Sequence, residues 1–570
     1  MQKKIEISFG DNTLSIEKDF VAKQSDGSIW AQVGDTVVLA TVVSSKSPRE
    51  GIDFFPLICD YREYISSVGK IPGGFFKREG KPTEREVLVS RLIDRSIRPL
   101  FPAHYRNEVQ VIVSVVSADM ENNPDVPAII AVSAALSVSK IRFSGPVGAV
   151  RIGLINDEYI VNPTNTQQQD CLMNMVISGT EDAVLMIEGD GKECSEEQFL
   201  EAVQIGLREI KKIIERQKEL IEGKEVWEEE TQDEEIKNNA VNFLSANIEK
   251  VYNFPEKQER GDFYKSLEEE FLVSVSEEKK EEAERIFREE LELQIRRLIV
   301  NTGKRLDGRG ANEIRPLDCK LGLLPRTHGS ALFTRGQTQC LASATLGTSR
   351  DEQRVEGLHE ERTRRFMVHY NFPPFSVGEV SPLRGASRRE IGHGALAARA
   401  LEFLIPSEEE FSYNIRIVAV ILESNGSSSM ATVCSGSLAL MDAAVPIKKH
   451  VAGVSIGMIK EGDNHILLTD IAGEEDHYGN LDLKIAGTED GITGFQMDVK
   501  DSGLTFEVME KAVYLSMDAR KVILKKMYET ISSPRTDISK YAPRIISFKI
   551  KTDKIGLVIG PGGKTIKKII

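Results

Sequence analysis

Three residues in the segment Asp476-His477-Tyr478-Gly479-Asn480-Leu481-Asp482-Leu483-Lys484 have the types and spacing for phosphoryl chemistry. Residues i and i+2 of a strand share a face, so Asp482 and Lys484 would set a carboxylate beside an ammonium. Asp476 adds a second hard oxygen ligand, and such a set suits Mg²⁺ or Mn²⁺ with a phosphate-bearing substrate. A solvated acidic turn leading into an edge strand would carry the same residues. What favours a site is a diluted copy about 308 residues earlier, where Asn174 falls opposite Asp482 and Val176 opposite Lys484. Ile177-Ser178-Gly179-Thr180-Glu181-Asp182 there matches Ile485-Ala486-Gly487-Thr488-Glu489-Asp490. The first copy lacks the charges to hold a metal.

Other residues could hold an anion or a nucleic acid. Gly426-Ser427-Ser428-Ser429 follows the apolar strand pattern of Ile415 to Leu422 and precedes a small-residue helix pattern from Met430 to Ala444. Hydroxyls and backbone N–H groups at a helix N-terminus favour an anion, although a serine-rich turn can be an N-cap and nothing more. Arg388, Arg389 and His393 add positive charge and a proton donor if they converge on that turn. Phe75-Phe76-Lys77-Arg78 sits between Gly73-Gly74 and Gly80; exposed aromatics among cations stack on single-stranded bases and meet phosphates. The alternative is a loop whose phenylalanines fold back onto the core. Arg91 and Arg95, one helical turn apart, would extend such a patch along RNA. Near the end, Gly560-Pro561-Gly562-Gly563 reads as a GxxG loop between a strand and a helix, the device by which KH domains clamp nucleic-acid backbones.

These groups need elements to position them, and the repeat supplies the outline. Gly27-Ser28 with Gly34, Thr36, Leu39 and Ala40 aligns with Gly329-Ser330, Gly336, Thr338, Leu341 and Ala342. Tyr61 and Ser67-Val68-Gly69 recur as Tyr370 and Ser376-Val377-Gly378, and Arg85-Glu86, Leu92 and Arg95 as Arg389-Glu390, Leu396 and Arg399. The chain thus reads as two homologous α+β domains, one active and one altered. Antiparallel hairpins are expected from Ile5 to about Val43, and helices over Glu84 to Ile97 and Pro127 to Ser139. A charged helical stretch from about Gln198 to Val300 lies between the copies, with opposite charges four apart such as Glu281 with Arg285.

Length and composition set bounds. A chain of 570 residues suggests about three or four domains. A formal charge of -15 argues against binding nucleic acid over the whole surface, so RNA must meet local basic patches. The six cysteines are scattered without metal spacing, which fits a reducing compartment. Absence of an apolar leader or a membrane-length run makes the cytoplasm the expected location.

Taken together, the chain resembles the bacterial-type polynucleotide phosphorylases. The resemblance is carried by FFKREGKPTERE (75–86), SRLIDRSIRPLFP (90–102), HYNFPPFSVGE (369–379), REIGHG (389–394) and YAPRI (541–545). It implies two RNase PH-like domains (ribosomal protein S5 domain 2-like) joined by an all-helical domain, followed by KH and OB modules. On this sequence that gives a first domain over 1–210, a helical domain over 211–303, a catalytic domain over 304–540 and an incomplete KH domain over 541–570. The resemblance also implies a homotrimeric ring that degrades single-stranded RNA with inorganic phosphate and releases nucleoside diphosphates, reversibly and with Mg²⁺, for which Mn²⁺ substitutes. Association with an endonuclease or helicase in a degradation complex follows from the same resemblance.

By resemblance, Asp476 and Asp482 hold the metal, Lys484 and His393 complete the catalytic set, and Ser427, Ser428, Ser429, Arg388 and Arg389 take the phosphate. Phe75, Phe76, Lys77, Arg78, Arg91, Arg95, Gly560 and Gly563 contact RNA. Three departures stand out: Asn480 where the family commonly has an acid, Lys77 for an arginine, and Gln337 for a glutamate. With the KH module cut short and the OB module missing, the expected loss is in RNA capture more than in catalysis. A hydrolytic 3′ exonuclease and a noncatalytic RNA-binding ring are the rival readings. The serine turn and arginine pair weigh against the first, the intact Asp476, Asp482 and Lys484 against the second.

Overall fold

Hydrophobic alternation at the N-terminus builds a sheet at once. In a computed structural model, which describes residues 3–49, 51, 52, 54–221, 233–355, 357, 358, 362–462, 464–501, 503–546 and 550–569, the first strands are β1 (Lys3–Phe9), β2 (Asn12–Lys18), β3 (Gly27–Val33) and β4 (Thr36–Ser44). They pair antiparallel in sequence, and alternate residues such as Ile5, Ile7, Leu14 and Ile16 are buried while their neighbours face outward. β5 (Leu57–Glu63), α1 (Glu84–Ile97), β6 (Val109–Ser117) and α2 (Asp125–Val138) follow. Helix α1 starts where Thr83 and Glu86 form a capping box, and α2, buried nearly all round, is apolar on every face.

The repeat continues through β7 (Gly148–Ile155), β8 (Glu158–Val161), α3 (Asn165–Gln168), β9 (Met173–Gly179), β10 (Val184–Cys194) and α4 (Glu196–Lys218). The expected boundary at 210 falls inside α4, which packs on β7 and belongs with the first repeat. Between the copies lie α5 (Glu234–Asn247), α6 (Lys257–Val273) and α7 (Lys280–Thr302).

The second repeat runs β11 (Leu317–Leu321), β12 (Gly329–Arg335), β13 (Thr338–Gly347), the small hairpin β14 (Gln353–Val355) and β15 (Arg362–Arg364), β16 (Phe366–Asn371), α8 (Arg388–Glu402), β17 (Asn414–Glu423) and α9 (Ser428–Asp442). It closes with β18 (Ala452–Glu461), β19 (Asn464–Thr469), α10 (Gly473–Tyr478), β20 (Leu481–Gly487), β21 (Ile492–Val499) and α11 (Phe506–Thr530). The repeat is visible in topology. Sheet order β1-β2-β3-β4-β6-β5 in the first copy matches β11-β12-β13-β17-β16 in the second, each ending on a parallel pair.

The sequence did not foretell how the copies join. Their remaining strands form one eight-stranded sheet, β19-β18-β20-β21-β10-β9-β7-β8, with its seam at the antiparallel pair β10·β21. Glu188 and Gln496, separated along the chain as Asn174 and Asp482 are, stand directly opposite each other at that seam, so the pseudo-two-fold axis relating the repeats passes between them. The cores merge accordingly: Leu481, Leu483 and Ile485 pack in one cluster with first-repeat residues. The helical insert is anchored too, its core including Ile459, Leu468, Ile471 and Tyr478 of the second repeat. At the chain's end, Ile555–Ile559 is a short helix, α12, and α13 spans Lys564–Ile569. The GxxG turn therefore joins two helices rather than a strand and a helix; a short apolar run reads either way in sequence, and neither Ile555 nor Ile559 has a neighbouring strand to pair with among the described residues.

Candidate catalytic and phosphate site

Strand β20 lies between β18 and β21, so it is internal and the reading as an acidic turn on an edge strand does not hold. Asp482 and Lys484 do share a face, and the Lys484 ammonium donates to Asp482 Oδ2. Both side chains are nearly closed off from solvent. The other carboxylate oxygen, Asp482 Oδ1, is buried with no hydrogen-bond partner. Burial pushes the Asp482 carboxyl up from its ordinary value, Lys484 opposes this, and Asp476 and then Asp498 push it further. Asp476 and Asp498 add negative charge beside Asp482, which a cation would relieve.

Asp476 sits on α10, a short helix whose other acids are committed elsewhere. Glu475 accepts from Ala472 N–H and from the buried guanidinium of Arg305, and Glu474 from Arg260. Asp476 lies near enough to push the Asp482 carboxyl up, and the equivalent positions in the first repeat are in contact. Gln168 and Asn174 stand where Asp476 and Asp482 do, and Asn174 Nδ2 donates to Gln168 Oε1 across 3.5 Å. Two amides satisfy each other; two carboxylates there repel unless a cation joins them. No group of three His, Cys, Asp or Glu among the described residues could hold a metal alone, so an ion between Asp476 and Asp482 would complete its shell with water or substrate oxygens, as Mg²⁺ does.

The serine turn is built from buried backbone anchors. Arg315 Nη1 donates to Asn425 O, Thr338 Oγ1 to Gly426 O and Arg335 Nη2 to Ser427 O. Behind them Asp470 pairs with Arg315 at 2.7 Å and Arg335 at 2.8 Å. Burial opposes its charge, but Arg335 and Arg315 hold its carboxyl well below the usual carboxylate range. With its carbonyls held, the turn passes through left-handed conformations at Gly426 and Ser427. A Cβ on Gly426 would stand 2.6 Å from Ile471 O, so only glycine fits. The hydroxyls of Ser427 and Ser429 are buried without partners at the N-terminus of α9, and Ser428 bonds Tyr370 at 2.7 Å. Orphaned hydroxyls at a helix start are ready to receive an anion. These anchors were missed in the sequence except for one signal: Thr338 aligns with Thr36, which holds the Asn122 carbonyl ahead of α2 in the same way.

His393 joins the cluster edge-on to Tyr370, its Nδ1 buried and unpaired. Burial first, then Lys484 and Arg389, lower its pKa well below the ordinary value. It is therefore neutral and does not contribute the positive charge expected of it. Arg91 of α1 reaches α8 from the first repeat: a Cβ on Gly392 would lie 2.4 Å from Arg91 Nε. Arg389 lies over the Phe372 ring at 5.6 Å.

Two expected contacts are committed elsewhere. Arg95 is buried at the seam, bonded to Glu188 and Asp498 with Arg399 also on Glu188, so it clamps the repeats together and has no free edge for RNA. Glu188 is held down to about 2 against burial by Arg399 and Arg95. Arg388 turns away from the serine turn to Cys59 O and Asp60 on β5. Two departures from the resemblance have local partners. Asn480 accepts from Lys460 N–H and donates to Asp501, where an acid would meet a like charge. Gln337 bonds Asn425 and Glu256 together, which a glutamate could not do.

The loop of Phe75 and Phe76 is displayed as expected, the two rings 93% and 88% exposed and edge-to-face, with Lys77 and Arg78 beside them in solvent. Gly560 and Gly563 both adopt positive φ, half-buried on either side of the exposed Pro561-Gly562 tip. No helix among the described residues is long and apolar enough to cross a membrane.

Comparison with known proteins agrees with the repeat. Residues 12–142 and 313–446 match the 3′ exoribonuclease family, domain 1, and residues 145–209 match domain 2 of that family. The polyribonucleotide nucleotidyltransferase of Thermodesulfovibrio yellowstonii is 52% identical over 100% of this chain and 82% of its own length. Those of Pseudothermotoga lettingae and Nitrobacter winogradskyi are 52% and 49% identical, over 97% and 100% of this chain and 80% of theirs.

Proposed function

The chain belongs to the polyribonucleotide nucleotidyltransferase family and is a phosphorolytic 3′ exoribonuclease; from that premise we propose that the second repeat alone performs the chemistry. Inorganic phosphate is received by the unpartnered hydroxyls of Ser427 and Ser429 at the start of α9, with Arg389, which lies over the Phe372 ring, as the cation that meets it. A phosphate oxygen attacks the 3′-terminal phosphodiester, the bond to the penultimate 3′ oxygen breaks, and a nucleoside 5′-diphosphate leaves. Attack in the opposite direction by an RNA 3′ hydroxyl on a nucleoside diphosphate adds a residue and frees phosphate. No covalent enzyme intermediate is needed.

The family uses a divalent ion, and Asp476 and Asp482 would hold it, Mg²⁺ with Mn²⁺ as substitute, where it would offset charge on the scissile phosphate. Lys484, beside Asp482, sets a positive charge near the leaving 3′ oxygen. His393, neutral and with Nδ1 unpartnered, is the group that takes a proton from the attacking phosphate and passes it to that oxygen. Phe75, Phe76, Lys77 and Arg78 stack on and track the incoming single strand, Arg91 adds charge near the 3′ end, and Gly560 and Gly563 belong to a second RNA clamp.

The observation that carries this reading is the amide pair Gln168 and Asn174 opposite the carboxylate pair Asp476 and Asp482. The test is incubation of the purified chain with an unstructured RNA and Mg²⁺, with and without phosphate. Phosphate-dependent release of nucleoside diphosphates is expected; monophosphates without phosphate would mean hydrolysis, and retained RNA without release would mean a scaffold. We further propose a division into 1–210, 211–303, 304–540 and 541–570, with the first boundary moved to the end of α4, a homotrimer measurable by light scattering, a cytoplasmic location, and association with an endonuclease or helicase.

A further inference from the structure

Helix α10 has six residues and carries Glu474, Glu475 and Asp476 in succession. Such a helix has little stability of its own, and three adjacent carboxylates repel one another. What holds it comes largely from the helical insert and the segment just after it. Arg260, in the first turn of α6 and only 1% exposed, donates to Glu474 Oε2 from Nε at 2.7 Å and lies within 2.5 Å of it through Nη2. Its remaining donors close on Phe254 O and Pro255 O. Arg296 of α7 donates to Tyr478 O at 2.7 Å, and Arg305 takes Glu475. The same end of α6 touches the phosphate turn. Glu256 accepts from Gln337, Gln337 accepts from Asn425 Nδ2 at 2.8 Å, and Asn425 Oδ1 accepts from Gly473 N–H at 2.9 Å, at the start of α10.

The first repeat is different. Its α3 is held within its own repeat, by Asn165 on Met120 O and Thr166 on Glu121, and carries Gln168 where a carboxylate would be.

We propose that the first turn of α6 is a positioning device for the catalytic centre: Arg260 orients the helix that presents Asp476, and Glu256, through Gln337 and Asn425, locks that helix to the serine turn. The insert between the repeats is thereby a working part of the second site. By binding Glu474, Arg260 removes a competing carboxylate and leaves Asp476 as the acid of α10 free to face Asp482; its one ion-pair neighbour among the described residues is Lys500 at 3.9 Å. This rests on the reading of Asp476 as a metal ligand.

The test is Mn²⁺ binding to the full chain without RNA or phosphate, followed by electron paramagnetic resonance. Outer partners of metal ligands typically change affinity by about 10- to 100-fold, so Arg260→Met and Glu474→Gln should each weaken Mn²⁺ binding about tenfold. Arg288→Met, which removes an exposed ion pair with Glu268 elsewhere in the insert, should leave it unchanged. Phosphorolysis by the two weakened variants should recover at high Mn²⁺ with little change in KM for RNA. Asp476→Asn separates the two ideas. If it loses Mn²⁺ while Arg260→Met and Glu474→Gln bind as the parent does, the positioning role is overturned; if it binds as the parent does, Asp476 is no ligand and the proposal falls for that separate reason. Should Arg260→Met fail to fold, Glu474→Gln decides, since it breaks the same ion pair without removing a buried cation.

Discussion

The two repeats place the same backbone around two opposite electrostatic solutions. In the first, the cations at the positions matching the second copy's site are answered from within. Arg85, equivalent to Arg389, bonds Glu63 and Asn123 at 2.8 Å each. Arg151 bonds Asp125, the first residue of α2, and Asn174. In the second, Phe372 replaces Glu63, Ser428 opens α9 where Asp125 opens α2, and Ser455 replaces Arg151 opposite Lys484 rather than Val176. The cation has moved one strand over, where it pairs with Asp482, the carboxylates matching Glu63 and Asp125 are gone, and hydroxyls and the second Asp482 oxygen remain without partners. At Arg389 and the serine turn, the second copy is open to an anionic substrate because no carboxylate of the protein takes that position. On the proposed assignment of activity to the second repeat, the first copy holds a satisfied network rather than a damaged one, and it stabilises the scaffold on which the second copy is less well satisfied.

That contrast can be broken by exchanging residues. Asp482→Asn with Lys484→Val converts the second site to the first copy's pattern and is expected to lower nucleoside diphosphate release by at least about 10³-fold, on the scale of lost transition-state electrostatics, with RNA retention unchanged. A double variant with near-parental turnover would end the assignment. Phe372→Glu brings the first copy's carboxylate to Arg389, and should raise KM for phosphate by roughly 10- to 100-fold with a smaller effect on kcat, because a charge-assisted bond of about 1.5–3 kcal/mol now competes with substrate. Replacing both Phe75 and Phe76 by Ala should weaken capture of long RNA by about tenfold or more, stacking contributing roughly 1–3 kcal/mol per base; fluorescence anisotropy checks this, and the phosphate KM should not move.

The smaller effects sharpen the comparison from the other side. Asn174→Asp alone should create neither Mn²⁺ binding nor a second activity, since Arg151 would pair with the new carboxylate; a thermal shift upward equivalent to less than about 1 kcal/mol is expected. His393 supplies a pH test. Its folded pKa is depressed, so the unfolded chain takes up the proton first, and the stability it contributes is present above the unfolded value near 6.5 and lost as pH falls below it. In His393→Gln that part of the loss between about pH 7 and pH 5 should disappear, measured by denaturant midpoint at each pH.

Residue type and order were enough to fix the two-copy architecture, the helices over Glu84–Ile97 and α9, the shared face of Asp482 and Lys484, and the display of Phe75 and Phe76. These depend on local periodicity, glycine-bounded loops and the internal repeat, all of which are properties of neighbours in the chain. Side-chain partners across the fold decided the rest. Nothing near Arg95 or Arg388 in sequence announces Asp498 and Glu188 some hundreds and some dozens of residues away, or Asp60 on the other repeat, and those carboxylates withdrew both arginines from the roles expected of them. Likewise the charge state of His393, the anchoring of the serine turn by Arg315, Arg335 and Asp470, and the hold of Arg260 on α10 arise where distant segments meet away from water. There desolvation makes each charge seek a partner, and only tertiary packing determines which one it finds.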